Sequence, residues 1–188
     1  MLDAAGLLNG VTSDSSNRVN DVSAEFQIIL RVVAIGIGAT ILLDLWSACL
    51  KLLFHIPSTN WSMVGRWFGH LPHGRFVHNK IADAAPVRKE LLLGWSAHYA
   101  IGVGFATLLV ALFGLDWLHQ PTIVPALVVG VFTVVFPFFL MQPGMGLGIA
   151  ATKAPRPNAA RLRSLMSHTI FGVGLYAAAS VSALLLRQ

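Results

Sequence analysis

The sequence predicts an all-α fold, namely a four-helix transmembrane bundle with a short interfacial amphipathic helix in its first cytoplasmic loop. Hydrophobic residues make up 55% of the 188 positions and charged residues only 11%, whereas soluble domains carry about a quarter charged residues. Four apolar runs are each long enough to cross a hydrocarbon core, which takes about 20 residues. Most of the basic residues lie between these runs, as is typical of membrane proteins.

The apolar runs divide the chain into a tail and one domain. They cover residues 26–54, 91–115, 122–142 and 164–186. Residues 1–25 are more polar and are expected to form an N-terminal tail in the periplasm, which leaves 26–188 as a single transmembrane domain. Pro137 should kink the third helix, because proline lacks an N–H group and its ring clashes with the preceding turn.

The distribution of charge orients the helices. The basic residues that follow the first and third runs are Arg66, Arg75, Lys80, Arg88, Lys89, Lys153, Arg156, Arg161 and Arg163. The positive-inside rule places both of these loops in the cytoplasm and both termini outside. The net charge of +5 is therefore explained by membrane topology, and nucleic acid is not an expected partner.

The first cytoplasmic loop contains a helical pattern of its own. Apolar residues recur at helical spacing at Trp61, Val64, Trp67, Phe68 and Leu71. A residue among Ser58, Thr59 and Asn60 would cap the start of this helix. Because tryptophans favour the boundary between lipid and water, the segment is predicted to lie in the interface, as an anchor or alternatively as a lid or docking surface.

One motif occurs twice. His98 precedes Gly102-Val-Gly104 by one helical turn, and His168 precedes Gly172-Val-Gly174 in the same way. Small residues let transmembrane helices approach closely. The glycines predicted to pack helices are Gly36, Gly102, Gly104, Gly172 and Gly174. The repeat also predicts two helical hairpins related by a pseudo-twofold axis along the membrane normal.

Four polar residues are predicted to converge in the cytoplasmic half of the bundle, one from each helix: Asp44, His98, His168 and Gln142. A carboxylate in the middle of a membrane costs about 2.5–3.5 kcal/mol on insertion scales, so Asp44 needs a compensating partner. We therefore predict a ligand or proton site formed by these residues. The alternative is a structural hydrogen bond between Asp44 and a histidine that holds two helices together.

Metal binding is a second hypothesis for the same region. Asp44, His98 and His168, with Met141 and Met145, offer ligand types that suit zinc, iron or copper. Two histidines on helices of the same direction could also ligate a haem. The cofactor is otherwise unknown, and catalytic residues are not predicted, because the serines lack a nucleophile elbow and no carboxylates are paired for hydrolysis.

Several blocks of the chain resemble a family of small bacterial multi-pass membrane proteins that is catalogued as a domain of unknown function. These blocks are NWSMVGRWFGHLPHGRFV at 60–77, GWSAHYAIGVGFA at 94–106, PFFLMQPGMGLGIAAT at 137–152 and PRPNAARLRSLMSHTIFGVGLY at 155–176. The resemblance implies a bacterial integral membrane protein, and the inner membrane is its expected location. It implies no activity and no functional residue.

The function predicted from the sequence is therefore a small membrane binding or accessory protein with a polar intramembrane site, rather than an enzyme. The alternatives are a haem- or metal-binding redox subunit, an oligomeric channel or transporter, and a purely structural subunit of a membrane complex. The lipid bilayer is one expected partner. A second copy of the chain, or a larger membrane complex, is the other.

Overall fold

The computed structural model describes residues 4–185, and it describes side chains at residue 22 and over residues 24–185. This part of the chain is helical and contains no strand. Four of its helices are long and apolar enough to cross a membrane: Ala24–Phe54, Glu90–Phe113, Ile123–Gly144 and Pro157–Leu185. The predicted four-helix membrane bundle is confirmed.

Helix α1 spans Ala4–Phe54, so residues 4–25, which were expected to form a tail, continue this helix. Residues 1–3 of that tail lie outside the described part, and its side of the membrane stays a prediction. The helix ends at His55, which has a φ of 54°, and the N–H of Ile56 donates to the carbonyl of Leu50 at 3.3 Å. This left-handed turn satisfies a free carbonyl at the end of the helix.

Helix α2 spans Trp61–His70, and Asn60 is its N-cap, with a side-chain oxygen that accepts from the N–H groups of Ser62 and Met63. The short helix predicted in the first loop is confirmed. It packs against helix α3, Glu90–Phe113. Its position relative to a lipid interface stays a prediction.

Helices α2 and α3 run antiparallel and in close contact. A Cβ on Gly65 would lie 2.6 Å from the amide nitrogen of Gly94, and a Cβ on Gly94 would collide with the carbonyl of Trp61. The backbone of Trp61 therefore lies beside the second turn of α3, about 6 Å along the axis from its start. Pro86 precedes the helix by four residues.

The third span is interrupted. It consists of α5 (Ile123–Phe132), a π-helical turn at Pro137–Met141 and α6 (Gln142–Gly144), and it follows the short helix α4 (Asp116–His119). The break falls at Thr133 and Val134. Because the ring of Pro137 clashes with the carbonyl four residues earlier, which is that of Thr133, the predicted kink has its expected cause.

Helix α7 spans Pro157–Leu185. Asn158 lies inside it, and its side-chain oxygen accepts from Nη1 of Arg161 at 3.1 Å. The N–H of Ala160 donates to the carbonyl of Arg156, so the first intrahelical bond already includes Arg156.

The helices are arranged with α1 between α3 and α7, while α7 also packs along α5. Contact between α3 and α5 is limited. A half-turn that exchanged the two hairpins would make the α1–α7 and α3–α5 interfaces equal. They are unequal, so the predicted twofold relation between the two hairpins is wrong, and the likeness is limited to the α1–α3 and α5–α7 crossings.

Glycines determine how closely the paired helices approach. A Cβ on Gly36 would lie 2.5 Å from Cα of Val103, and a Cβ on Gly130 would lie 2.5 Å from Cα of Gly172. Gly102 faces the hydroxyl of Thr40. The remaining two predicted packing glycines differ, since a Cβ on Gly174 would lie 2.9 Å from Cα of Ala39 whereas one on Gly104 would meet open space. The prediction for Gly104 is therefore wrong.

Candidate functional site

The structure brings Asp44 of α1 together with two neighbouring residues of α3. Nε2 of His98 lies 3.0 Å from Oδ1 of Asp44, and the hydroxyl of Tyr99 donates to Oδ2 at 3.0 Å. Since a carboxylate oxygen accepts, Nε2 of His98 carries the hydrogen. The side chains of His98 and Asp44 are 12% and 24% exposed. Both oxygens of the intramembrane carboxylate therefore have a donor.

Aromatic rings surround the histidine of this cluster. The ring centroid of Trp61 lies 4.0 Å from that of His98, with the planes tilted by 30°. Trp95 lies 5.8 Å from His98 on the same helix, and the two tryptophan rings are 5.4 Å apart. The negative face of an indole attracts cations. The Asp44–His98–Tyr99 cluster is thus bounded by α1, α3 and the first turn of α2.

His168 of α7 does not join this cluster. Its Nδ1 lies 3.0 Å from Oγ1 of Thr133 and 3.2 Å from the carbonyl oxygen of Gly130. The hydroxyl of Thr133 donates to the same carbonyl at 2.7 Å. His168 therefore contacts a hydroxyl and a backbone carbonyl at the α5–α7 crossing, whereas His98 contacts the carboxylate of Asp44.

The break in the third span explains these partners of His168. In an unbroken helix the carbonyl of Gly130 would accept from the N–H of Val134. Here the N–H of Val134 donates to the carbonyl of Val131 instead, at 3.1 Å. Freed backbone groups in a membrane need internal partners, and Thr133 and His168 provide them. This histidine stabilises a kink.

Gln142 also lies apart from the cluster. It is 6% exposed, and its Nε2 donates to Oγ of Ser164 on α7 at 3.2 Å. Its Oε1 is buried and has no hydrogen-bond partner among the described residues. The predicted convergence of four polar residues on one site therefore reduces to Asp44 and His98, and Tyr99 is the member that the sequence reasoning missed.

The predicted metal ligands are not assembled. Among the described residues, no group of three or more histidine, cysteine, aspartate or glutamate side chains is placed to hold a metal ion. Oδ1 of Asp44 and Nε2 of His98 are hydrogen-bonded to each other, and His168 contacts the kink. Met145 is fixed by its backbone to the first loop, where its carbonyl accepts from Ile81 at 3.1 Å. The donor set fits neither a metal nor a bis-histidine haem.

Helix α2 is held beside the cluster by a charged anchor. Arg66 donates through Nε to Oε2 of Glu90 at 2.9 Å and through Nη2 to Oε1 at 3.0 Å. Its Nη1 donates to the carbonyls of Ala82 and Ala84. The hydrogen bond to the carboxylate of Glu90 raises the pKa of Arg66. This bidentate pair fixes α2 against the first turn of α3, and the stacking position of Trp61 depends on that contact.

Besides Asp44, helix α1 carries a second charged residue within the first apolar run, which the sequence analysis did not single out. Arg31 of α1 donates through Nη2 to the carbonyl of Leu118 at 2.6 Å and through Nε to Oγ of Ser182 at 3.4 Å. It joins α1, α4 and α7 at the opposite end of the bundle from α2. An arginine inside the first apolar run was a detectable signal, because intramembrane charges always need partners.

The fold defines a class, that of helical multi-pass membrane proteins with a polar cluster between two spans. The chain belongs to a particular family of that class, since residues 33–182 match the family described as "Protein of unknown function (DUF2938)". No curated protein and no solved structure matches the chain. The match confirms the resemblance to a family of unknown function.

Proposed function

We propose that the protein is a small binding or accessory protein of the bacterial inner membrane, and that the Asp44–His98–Tyr99 cluster is its proton-binding site. The observation that carries the proposal is the 3.0 Å contact between Nε2 of His98 and Oδ1 of Asp44. Both basic loops lie in the cytoplasm and both termini outside, by the positive-inside rule. The cluster then lies in the cytoplasmic half of the bundle.

The chemistry of the cluster supports a proton rather than a larger cation as the ligand. The two nearest partners of His98 are a carboxylate oxygen and an indole face, and both attract positive charge. The imidazole itself occupies the space between them, so a proton binds without displacing any side chain. Among the described residues, the titratable groups that contact His98 are Asp44 from α1 and Tyr99 from α3, while α2 presents Trp61.

The proposed accessory role of the protein rests on α2. Its first residue, Trp61, stacks on His98, so the charge of the imidazole acts directly on the start of a helix outside the four spans. A proton bound at His98 strengthens this stacking by the cation–π interaction. The proton site and the cytoplasmic loop are therefore coupled through one side-chain contact.

Nuclear magnetic resonance of the histidine side chains tests the proposal. The protein is labelled with 15N-histidine in lipid nanodiscs, and the His98 signals are assigned by their loss in His98→Gln. We expect them to change from the neutral to the imidazolium pattern between pH 5 and 8. Asp44→Asn should move the His98 midpoint and leave the His168 signals unchanged. A His98 charge that stays constant over this range, or an unchanged midpoint in Asp44→Asn, contradicts the proposal.

Cysteine labelling tests the orientation separately. Cys49 is the only cysteine in the sequence, so Cys49→Ser provides a background without thiols. Gln188→Cys in that background should react with a membrane-impermeant maleimide in intact cells, whereas Arg156→Cys should react only after lysis. The reverse pattern would invert the topology without affecting the cluster.

A further inference from the structure

A cavity lies where the first loop meets the end of the third span. It has a volume of about 540 Å³, and the lining residues that matter here are Val77, His78, Asn79, Gly148, Ile149 and Lys153. The cavity is remote from the Asp44 cluster in sequence and shares no residue with it. It also lies at the end of the bundle that carries both basic loops.

Two backbone contacts between the loops build this cavity. The N–H of His78 donates to the carbonyl of Gly144 at 2.9 Å, and the N–H of Ile81 donates to the carbonyl of Met145 at 3.1 Å. Gly146 has a φ of 89°, and a Cβ there would lie 2.7 Å from the carbonyl oxygen of His78. Glycine is therefore required at this crossing, both for its conformation and for the close approach.

The wall formed by residues 146–153 is conformationally unusual. Gly148 has a φ of 74°, and Ala150 and Ala151 have φ values of 47° and 57°. A left-handed conformation at alanine costs about 1–2 kcal/mol. Strain of this kind clusters at sites that bind ligands. The tight turn also brings the backbone of Lys153 back to the carbonyl of Leu147, at 2.8 Å.

The cavity carries a positive charge. Lys153 supplies an ammonium group, and no acidic side chain lines the cavity. The N–H groups of Gly148 and Ile149 donate to no acceptor among the described residues. An ammonium beside free backbone N–H groups in a glycine-rich turn is a combination that binds phosphate.

The rim of the cavity indicates where that phosphate comes from. Val77 and Ile149 line the cavity, yet they are 75% and 56% exposed. Exposed apolar side chains next to a phosphate-binding turn suit a phosphate that is attached to glycerol and acyl chains. Basic pockets between transmembrane helices are typical binding places for anionic lipid headgroups.

We propose that this cavity binds the phosphate of an anionic phospholipid headgroup, with Lys153 as its charged ligand. The site is independent of the proton-binding cluster, and it depends on neither the orientation of the chain nor the charge of His98. The bound headgroup contacts both the first loop and the end of the third span, beside the contact between His78 and Gly144.

Native mass spectrometry of the detergent-purified protein, titrated with phosphatidylglycerol, tests this proposal. Lys153→Gln should weaken phosphatidylglycerol binding about fivefold, the effect of one lysine at an anionic surface. Lys80→Gln is the matched control, because Lys80 is an exposed lysine of the same basic end that pairs with Asp83 at 3.8 Å and does not line the cavity. It should leave the affinity unchanged, and phosphatidylcholine should bind far more weakly than phosphatidylglycerol.

Three results would overturn the proposal. Equal losses in Lys153→Gln and Lys80→Gln would show general electrostatic attraction, and no loss in either would show that the cavity is not the binding place. Displacement of the lipid by millimolar inorganic phosphate would show that a soluble phosphate, rather than a lipid, is the occupant. Because both lysines are exposed, the two variants should melt at the temperature of the wild-type protein, which checks that they are folded.

Discussion

Helices α3 and α7 carry the same His-x3-Gly-x-Gly motif but use it differently. In both, the motif lies at a crossing where backbones touch, with Gly36 against Val103 in one pair and Gly130 against Gly172 in the other. In both, a threonine of the partner helix donates to the carbonyl of its glycine, from Thr40 at 2.8 Å and from Thr133 at 2.7 Å. The two glycine crossings are nearly equivalent.

The histidines of the two motifs diverge because their partner helices differ. Helix α1 is continuous through its crossing, so the carbonyl of Gly36 keeps its helical environment and His98 reaches Asp44, further along the helix. The third span is broken by Pro137, so the carbonyl of Gly130 is free and His168 satisfies it. The motif therefore determines how helices cross, and the neighbour determines what the histidine does.

The largest effects should come from the shared crossings. Gly36→Ala and Gly130→Ala each place a methyl group 2.5 Å from a backbone atom, and each should lower the free energy of unfolding by about 2–3 kcal/mol. Gly104→Ala is the control, since its Cβ meets open space and alanine favours a helix by up to about 1 kcal/mol. Unfolding titrations in sodium dodecyl sulfate measure all three, and a destabilised Gly104→Ala would refute the contrast.

Removing the carboxylate should have the next largest effect. Asp44→Ala leaves His98 and Tyr99 without an acceptor and should cost about 2 kcal/mol of unfolding free energy. Asp44→Asn keeps an acceptor oxygen and should cost about half as much. The same titrations compare the two variants. Equal losses in both would mean that the charge of the carboxylate, rather than the acceptor oxygen that asparagine keeps, is what Asp44 contributes.

The kink in the third span should be less sensitive. Thr133→Val removes one of the two donors to the carbonyl of Gly130, while His168 remains, so the expected loss is about 1 kcal/mol. Thr107→Val is matched to it, because the hydroxyl of Thr107 donates to the carbonyl of Val103 in the same manner but is exposed. That variant should stay within about 0.5 kcal/mol of wild type. A larger loss in Thr107→Val would contradict the role given to His168 and Thr133.

A smaller and more local effect is expected at α2. Trp61→Ala removes the ring that stacks on His98, which is worth about 1 kcal/mol. Hydrogen exchange should become faster over residues 61–65 and stay unchanged in α7. Trp61→Phe retains a ring and should exchange at an intermediate rate. Unchanged exchange in Trp61→Ala would leave Arg66 and Glu90 as the whole anchor of α2.

The smallest expected effect concerns the metal content of the purified protein. Because the histidines of the two motifs belong to separate interfaces, the purified protein should contain no stoichiometric iron, zinc or copper by elemental analysis. Metal at one equivalent per chain that is lost in both His98→Ala and His168→Ala would bring the two motifs back to one site. That result would restore the redox hypothesis.

Much of the architecture could be predicted from residue patterns, because the bilayer leaves few choices. Spans need about 20 apolar residues, and proline breaks the turn before it. The four spans, the α2 helix with its Asn60 cap and the kink at Pro137 followed from these rules. The prediction that Gly104 packs against another helix was wrong, because helical spacing does not say which of two glycines two residues apart faces a neighbouring helix.

The polar sites were predictable only in part. Asp44 and His98 were singled out because each is costly in hydrocarbon without a partner. Depth along the helices was then used to group them with His168 and Gln142, but helices of equal depth can present side chains in different directions. Tyr99 and Trp61 were not assigned to the site, because neither residue type is unusual near a membrane interface.

The sequence by itself determined that this chain is a helical multi-pass membrane protein and which buried polar groups need partners. Those conclusions depend on hydrophobicity, helix length and desolvation, which are properties of each segment alone. Only the tertiary structure decided that His98 meets a carboxylate while His168 completes a kink. Pairing depends on the rotation of each helix relative to its neighbours, and no single segment encodes that rotation.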